Sequence, residues 1–280
     1  MGSKNLRKSR PLEKEHLNNE WRKVASAIYS KPIDSKIFGS VEIDVTELEE
    51  FVSRKRREGL KITLTHIFVL IVSRALRYEV PELNSFIRRG NVIGRDHVDA
   101  MVSILNEEMQ MSSVKIPFAE TLSLSELAVV MNEEIKNSRS GNENKTMRLK
   151  GFLASIPWPF RNWIFSLIRR ITIGWGLSIP ALGLSGESFG SVVITNIGSI
   201  GLDMGYPALF PTSNVALVFV MGGVAKKPVV VNDQIVIRRM MSLGAALDHR
   251  LVDAVHGGRL FKYIKQVVRN PEILEEKPIS

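Results

Sequence analysis

Four apolar runs crowd the C-terminal third of the chain: GSVVITN from Gly190, VALVFVMGG from Val215, VVVNDQIVI from Val229 and RMMSLGAAL from Arg239. They are rich in β-branched residues and punctuated by Gly, Asn and Asp, so they predict successive strands, the third folded at Asn232-Asp233. Runs this apolar require a sheet buried on at least one face. The last run is followed at once by DHRLVDAVHGGRLF, which sets Asp248, His249, Arg250 and Asp253 at the end of a buried strand. A histidine there is either a satisfied structural group or a base.

The chain has 280 residues, 44% of them hydrophobic, enough for a sizeable core. It has no cysteine, which excludes a disulfide framework, thiolate metal sites and a cysteine nucleophile, and suggests a reducing, cytoplasmic setting. A net charge of +9 favours anionic partners without choosing among them. His16, His66, His97 and His256 have no metal-site spacing, so no metal is expected.

The first twenty residues are polar and charged and predict a disordered basic arm ahead of one domain over 21–280. Ile37, Gly39, Val41, Ile43 and Val45 alternate with Phe38, Ser40, Glu42, Asp44 and Thr46, the period of a strand, and a charged helix follows. Thr63 caps a densely apolar helix that ends before Pro81, and Ser123 with Glu126 forms a capping box ahead of another. RSGNENK within Ser138 to Lys145 marks the clearest internal boundary. A last helix carries Leu260, Phe261, Ile264, Val267 and Val268 on one stripe and stops at Pro271. The expected fold is α/β, a mixed sheet flanked by helices with a mainly β C-terminal half.

At this point the chain resembles a family. DHRLVDA is similar to the DHRxxDG signature of the catalytic domain of dihydrolipoamide acyltransferases, the E2 subunits of 2-oxo acid dehydrogenase complexes, which share a fold with chloramphenicol acetyltransferase. VVITNIGSIG resembles the family's FTISNLG segment, and VEIDVTELEEF, ALRYEVPELNSF and LSLSELA resemble its first strand and helix, its VPELN helix end and the helix before the loop. The resemblance runs from about Arg22 to Leu274. It implies a chloramphenicol acetyltransferase-like sandwich that moves an acyl group between coenzyme A and a dihydrolipoyl-type thiol or another acceptor.

The resemblance implies roles as well. His249 matches the general base, which suits a histidine of unperturbed pKa about 6.5. Thr195 matches the hydroxyl that stabilises the oxyanion, with Asn196 and Gly198 shaping the turn behind it. Asp253 holds the site's geometry, with Arg22 as its candidate partner, and Asp248 with Arg250 forms an ion pair that shapes the turn. A homotrimer that can build into a higher cage is implied, with His249 from one subunit and the channel wall from the next. The partner is an acyl-coenzyme A or acylated carrier, and no nucleic acid is expected.

The sequence departs from the family in three places. Ala254 stands where the family has glycine. No lipoyl domain precedes the catalytic region, so a stand-alone enzyme is expected. Between the loop and VVITN lies an insertion, Lys145 to Gly186, with six basic residues, three tryptophans and no acid before Gly186. Its broken apolar runs fit an interfacial segment on a membrane surface, or equally a lid or subunit contact. Two rival functions remain open: an inactive E2-like scaffold and a membrane-surface binding protein.

Overall fold

The structure is a computed structural model that describes residues 35–105, 111–139, 157, 160–179, 185–210 and 213–278. The N-terminal arm, Arg22, most of the RSGNENK loop and the first part of the insertion lie outside the described residues.

Strand β1 (Lys36–Asp44) leads directly into helix α1 (Thr46–Arg57). Thr63 begins α2 (Leu64–Arg74), where its backbone N–H donates to His66 Nδ1 at 3.2 Å, and α2 runs on through one wider turn, Ala75–Glu79, to Pro81. A short hairpin, β2 (Ser85–Arg88) and β3 (Asn91–Gly94), precedes β4 (Ala100–Leu105), β5 (Met111–Ile116) and α3 (Leu124–Arg139). Ser123 and Glu126 cap α3 reciprocally: Ser123 N–H donates to Glu126 Oε2 at 2.9 Å and Glu126 N–H to Ser123 Oγ at 3.3 Å. The described part of the insertion forms α4 (Phe160–Arg169) and a turn, Arg170–Gly174. Then come β6 (Val192–Asn196), β7 (Leu217–Val231), β8 (Gln234–Asp248) and α5 (Ala254–Val268).

Six strands form one mixed sheet in the order β1-β8-β7-β6-β4-β5, with β4/β6 and β6/β7 parallel and the other neighbours antiparallel. The three C-terminal runs expected as separate strands are two long ones. VALVFVMGG and the first half of VVVNDQIVI form β7, and the rest forms β8 with RMMSLGAAL. Asn232 and Asp233 fold them back in a two-residue turn with φ of 50° and 60°, the conformation such turns require. The break read between the runs is a bulge at Met221/Val224, where Gly222 and Gly223 interrupt the apolar pattern without ending the strand.

Helices α1, α2, α3 and α5 cover one face of the sheet. Nearly every residue of α2 is buried, and its Phe68 stacks on Phe219 of β7 at 6.1 Å between ring centres. The predicted stripe of α5, Leu260, Phe261, Ile264, Val267 and Val268, is buried in the same core. On the other face a small cluster of Met101, Val193, Val215 and Val218 lies under Phe189 and Leu209. Phe38 on that side is 50% exposed.

Candidate active site

The polar turn that ends β8 is built from the backbone outward. Asp248 is the last residue of β8, paired with Lys36 of β1, and His249 N–H donates to Ser35 O at 2.7 Å. Asp248 is 4% exposed and is clamped by Arg250, whose Nε donates to both carboxylate oxygens at 2.9 and 3.1 Å and whose N–H donates to Oδ1 at 3.0 Å. This closes the turn and lets the chain enter α5.

The His249 ring is held in one tautomer. Its Nδ1 lies 2.9 Å from Val252 O, and since a carbonyl can only accept, Nδ1 carries the proton. The lone pair of the neutral ring is therefore on Nε2, the atom a base would use. Asp253 Oδ1 stands 3.4 Å from the same Nδ1. Asp253 is the residue before α5, and its N–H donates to His256 Nδ1 at 3.0 Å, which fixes the start of the helix. Ala254 is the first helical residue of α5 and is not among the positive-φ positions, so the alanine fits without strain.

Thr195 lies elsewhere. On β6, Val192 and Ile194 face the helices and Val193 the opposite side, so by strand alternation Thr195 faces away from the helices and Asn196 toward them. Asn196 Nδ2 donates to Thr65 Oγ1 at 3.1 Å, and Asn196 Oδ1 accepts from Ser199 N–H at 3.2 Å. Behind them Gly198 lies against the glycines of the bulge: a Cβ on Gly198 would stand 2.6 Å from Gly222 O, and one on Gly222 would stand 1.8 Å from Asp203 O. These close approaches fix the loop that follows Thr195.

The register separates the two candidate groups. Thr195 pairs with Val220, and Val220 with Gly244, so Thr195 is level with a residue five before His249 and two strands away. That is about 16 Å along the strands and about 10 Å across them. Within one chain, His249, Asp253, Asp248 and Arg250 come together, Asn196 and Gly198 support Thr195, and the two groups do not meet.

Residues 183–275 match the family model described as 2-oxoacid dehydrogenases acyltransferase (catalytic domain). The match covers the C-terminal third of the chain, from before β6 to beyond α5. It is 26% identical over 248 residues to the lipoamide acyltransferase component of the branched-chain alpha-keto acid dehydrogenase complex of Bacillus subtilis, a match that covers 85% of this chain and 46% of that protein. The chain thus spans less than half the length of that relative. Among solved structures it resembles a probable dihydrolipoamide acetyltransferase from Listeria monocytogenes, with a TM-score of 0.63, 21% identity, and 96% and 98% of the two chains covered. It also resembles the cubic core of a pyruvate dehydrogenase multienzyme complex, with a TM-score of 0.62, 16% identity, and 91% and 88% covered. The fold of the chain is chloramphenicol acetyltransferase-like.

Sequence reasoning did not single out Arg89 and Lys36, which the fold brings beside the His249 turn together with Arg169 and Arg170 of the insertion. The signal available for Arg89 was the RRGN turn between β2 and β3, where Arg89 has φ of 51°. Arg22, the proposed partner of Asp253, lies outside the described residues.

Proposed function

We propose that the protein is an acyltransferase that moves an acyl group between coenzyme A and a thiol of the dihydrolipoyl type or another nucleophilic acceptor. The observation that carries this reading is the tautomer of His249, set by Val252 O and backed by Asp253. Nε2 takes the proton of the attacking thiol as sulfur adds to the thioester carbonyl. The tetrahedral oxyanion accepts a hydrogen bond from the Thr195 hydroxyl, and its collapse expels the leaving thiolate, which recovers the proton from Nε2. Asp253 steadies the imidazolium between the two transfers.

The separation of Thr195 from His249 supports a site shared between subunits. One chain supplies the base and its neighbour the hydroxyl, as in a closed ring of at least two copies, and we read it as a homotrimer. The likeness to a cubic core supports assembly of such trimers into a cage. Acyl transfer from a coenzyme A thioester to dihydrolipoamide, measured beside His249→Ala, tests the reading. Turnover that collapses in the variant supports it, and equal turnover in both rejects it.

A second reading, contact with a membrane surface, is favoured by α4. Its Phe160, Trp163, Ile164 and Leu167 form one stripe and are all exposed, in a segment without acids up to Gly186. No helix among the described residues is long and apolar enough to cross a membrane. Flotation with anionic vesicles, unaffected by His249→Ala and lost in Trp163→Asp, is the outcome this reading requires.

A further inference from the structure

A cavity of about 520 Å³ opens beside the His249 turn, within the usual range for a small-molecule site. Its lining includes Asp248 and Arg250, which flank His249 in the sequence, and the insertion supplies another wall through Arg169, Arg170 and Ile173. The cavity has two chemical characters.

Its charged part is made of Lys36, Arg89, Arg169, Arg170 and Arg250, with Asp248 as the one acid in the lining. Arg250 already occupies Asp248. Among the described residues the other four cations are paired with no carboxylate. Among the described residues two buried donors here also lack partners: the hydroxyl of Ser35, 2% exposed, and Nε of Arg169. A buried donor left unsatisfied is costly, and a bound anion would relieve that cost. Arg89 and Gly90, at φ of 51° and 77°, form the two-residue turn between β2 and β3, which presents Arg89 to the cavity. The rest of the wall is apolar: Phe86, Ile87, Ile173, Leu209, Phe210 and Leu251.

We propose that this cavity binds the acyl donor as a phosphate-bearing amphiphile. Its phosphates rest on Ser35, Arg89, Arg169 and Arg170, and an acyl chain longer than acetyl lies against Ile87, Ile173 and Leu209. The inference rests on the acyl-transfer reading and adds to it a substrate class, set by the insertion.

The test is equilibrium binding by calorimetry to the full chain, with acetyl-coenzyme A, octanoyl-coenzyme A, octanoate and inorganic pyrophosphate as probes, and with phosphatidylglycerol vesicles in a separate arm. Octanoyl-coenzyme A is expected to bind at least tenfold more tightly than acetyl-coenzyme A, since each buried methylene contributes about 0.8 kcal/mol. The double variant R169Q/R170Q is expected to weaken binding of both coenzyme A thioesters about tenfold or more. R89Q, on the turn between β2 and β3, is expected to do the same and carries the test if the double variant melts early. Ile173→Asn is expected to erase the preference for the longer chain. Equal binding of the two thioesters, or unchanged affinity in arginine variants that melt like wild type, overturns the inference. So does arginine-dependent capture by vesicles without binding of soluble octanoyl-coenzyme A, which assigns the phosphates to lipid headgroups. His249-dependent transfer with arginine-independent binding removes this inference alone, whereas arginine-dependent binding without any transfer removes the acyl-transfer reading alone.

Discussion

Thr195 and His249 of one chain stand two strands apart and offset along them, because Thr195 is level with Gly244 through Val220 while His249 follows Asp248 at the end of β8. Strand order and register are fixed by the buried apolar faces, so no side-chain rotation brings the two together. Under the proposed acyl transfer, the base of one chain would meet the hydroxyl of a neighbouring copy.

His249→Ala should lower kcat by a factor of about 10² to 10⁴, the usual contribution of a positioned general base. Steady-state kinetics with a melting curve beside it checks this, since the ring is partly exposed and its removal should leave the melting temperature close to wild type. Retention of full kcat would show that the histidine serves the turn alone.

Thr195→Val keeps the β-branched shape on β6 and removes only the hydroxyl. Loss of about a hundredfold or more in kcat is expected, with Thr195→Ser recovering most of it. A change confined to KM would place the threonine in substrate binding instead.

Gly198→Ala should destabilise the protein by about 1–3 kcal/mol, because the new methyl meets the backbone of Gly222 rather than a side chain that can rotate away. Urea denaturation measures it. The same variant should lose kcat as well, since the loop behind Thr195 must shift.

Burial pushes the His66 imidazole down to about 4, with the nearby Asn132 side chain opposing the shift and the nearby Arg56 charge adding to it. Its folded pKa is thus below the unfolded value of 6.5. Above pH 6.5 both states are neutral and His66 adds no pH dependence. As pH falls toward 4 only the unfolded chain takes up the proton, and stability drops by about 3 kcal/mol across that window. In His66→Gln, whose amide can still bond to the Thr63 backbone, the fall in unfolding free energy between pH 7 and pH 4.5 should be smaller than in wild type. An unchanged slope would assign the acid sensitivity to other groups.

The elements legible in the sequence are those specified locally. The stripe of α5, the caps at Thr63 and Ser123 and the Asn232-Asp233 turn follow from spacing alone, because each is settled by contacts within a few residues. The continuity of β7 was hidden because paired glycines read as an end of strand, and only the approach of Asp203 O to Gly222 explains why glycine is needed in its middle. The Asp248-Arg250 clamp and the setting of His249 were readable from their closeness in sequence. The distance from His249 to Thr195 was not, since it depends on strand order and register across β6, β7 and β8. Arg89 and Lys36 escaped notice for the same reason: each is remote in sequence from Arg169, and the fold alone joins them at one cavity.

The shared site is tested most directly by mixing two inactive proteins. His249→Ala and Thr195→Val should each be nearly inactive alone, yet co-expressed as mixed trimers they should recover about a quarter of wild-type activity, since one interface in four then joins an intact histidine to an intact threonine. Activity no higher than the sum of the separate variants would contradict a site completed by a neighbouring subunit.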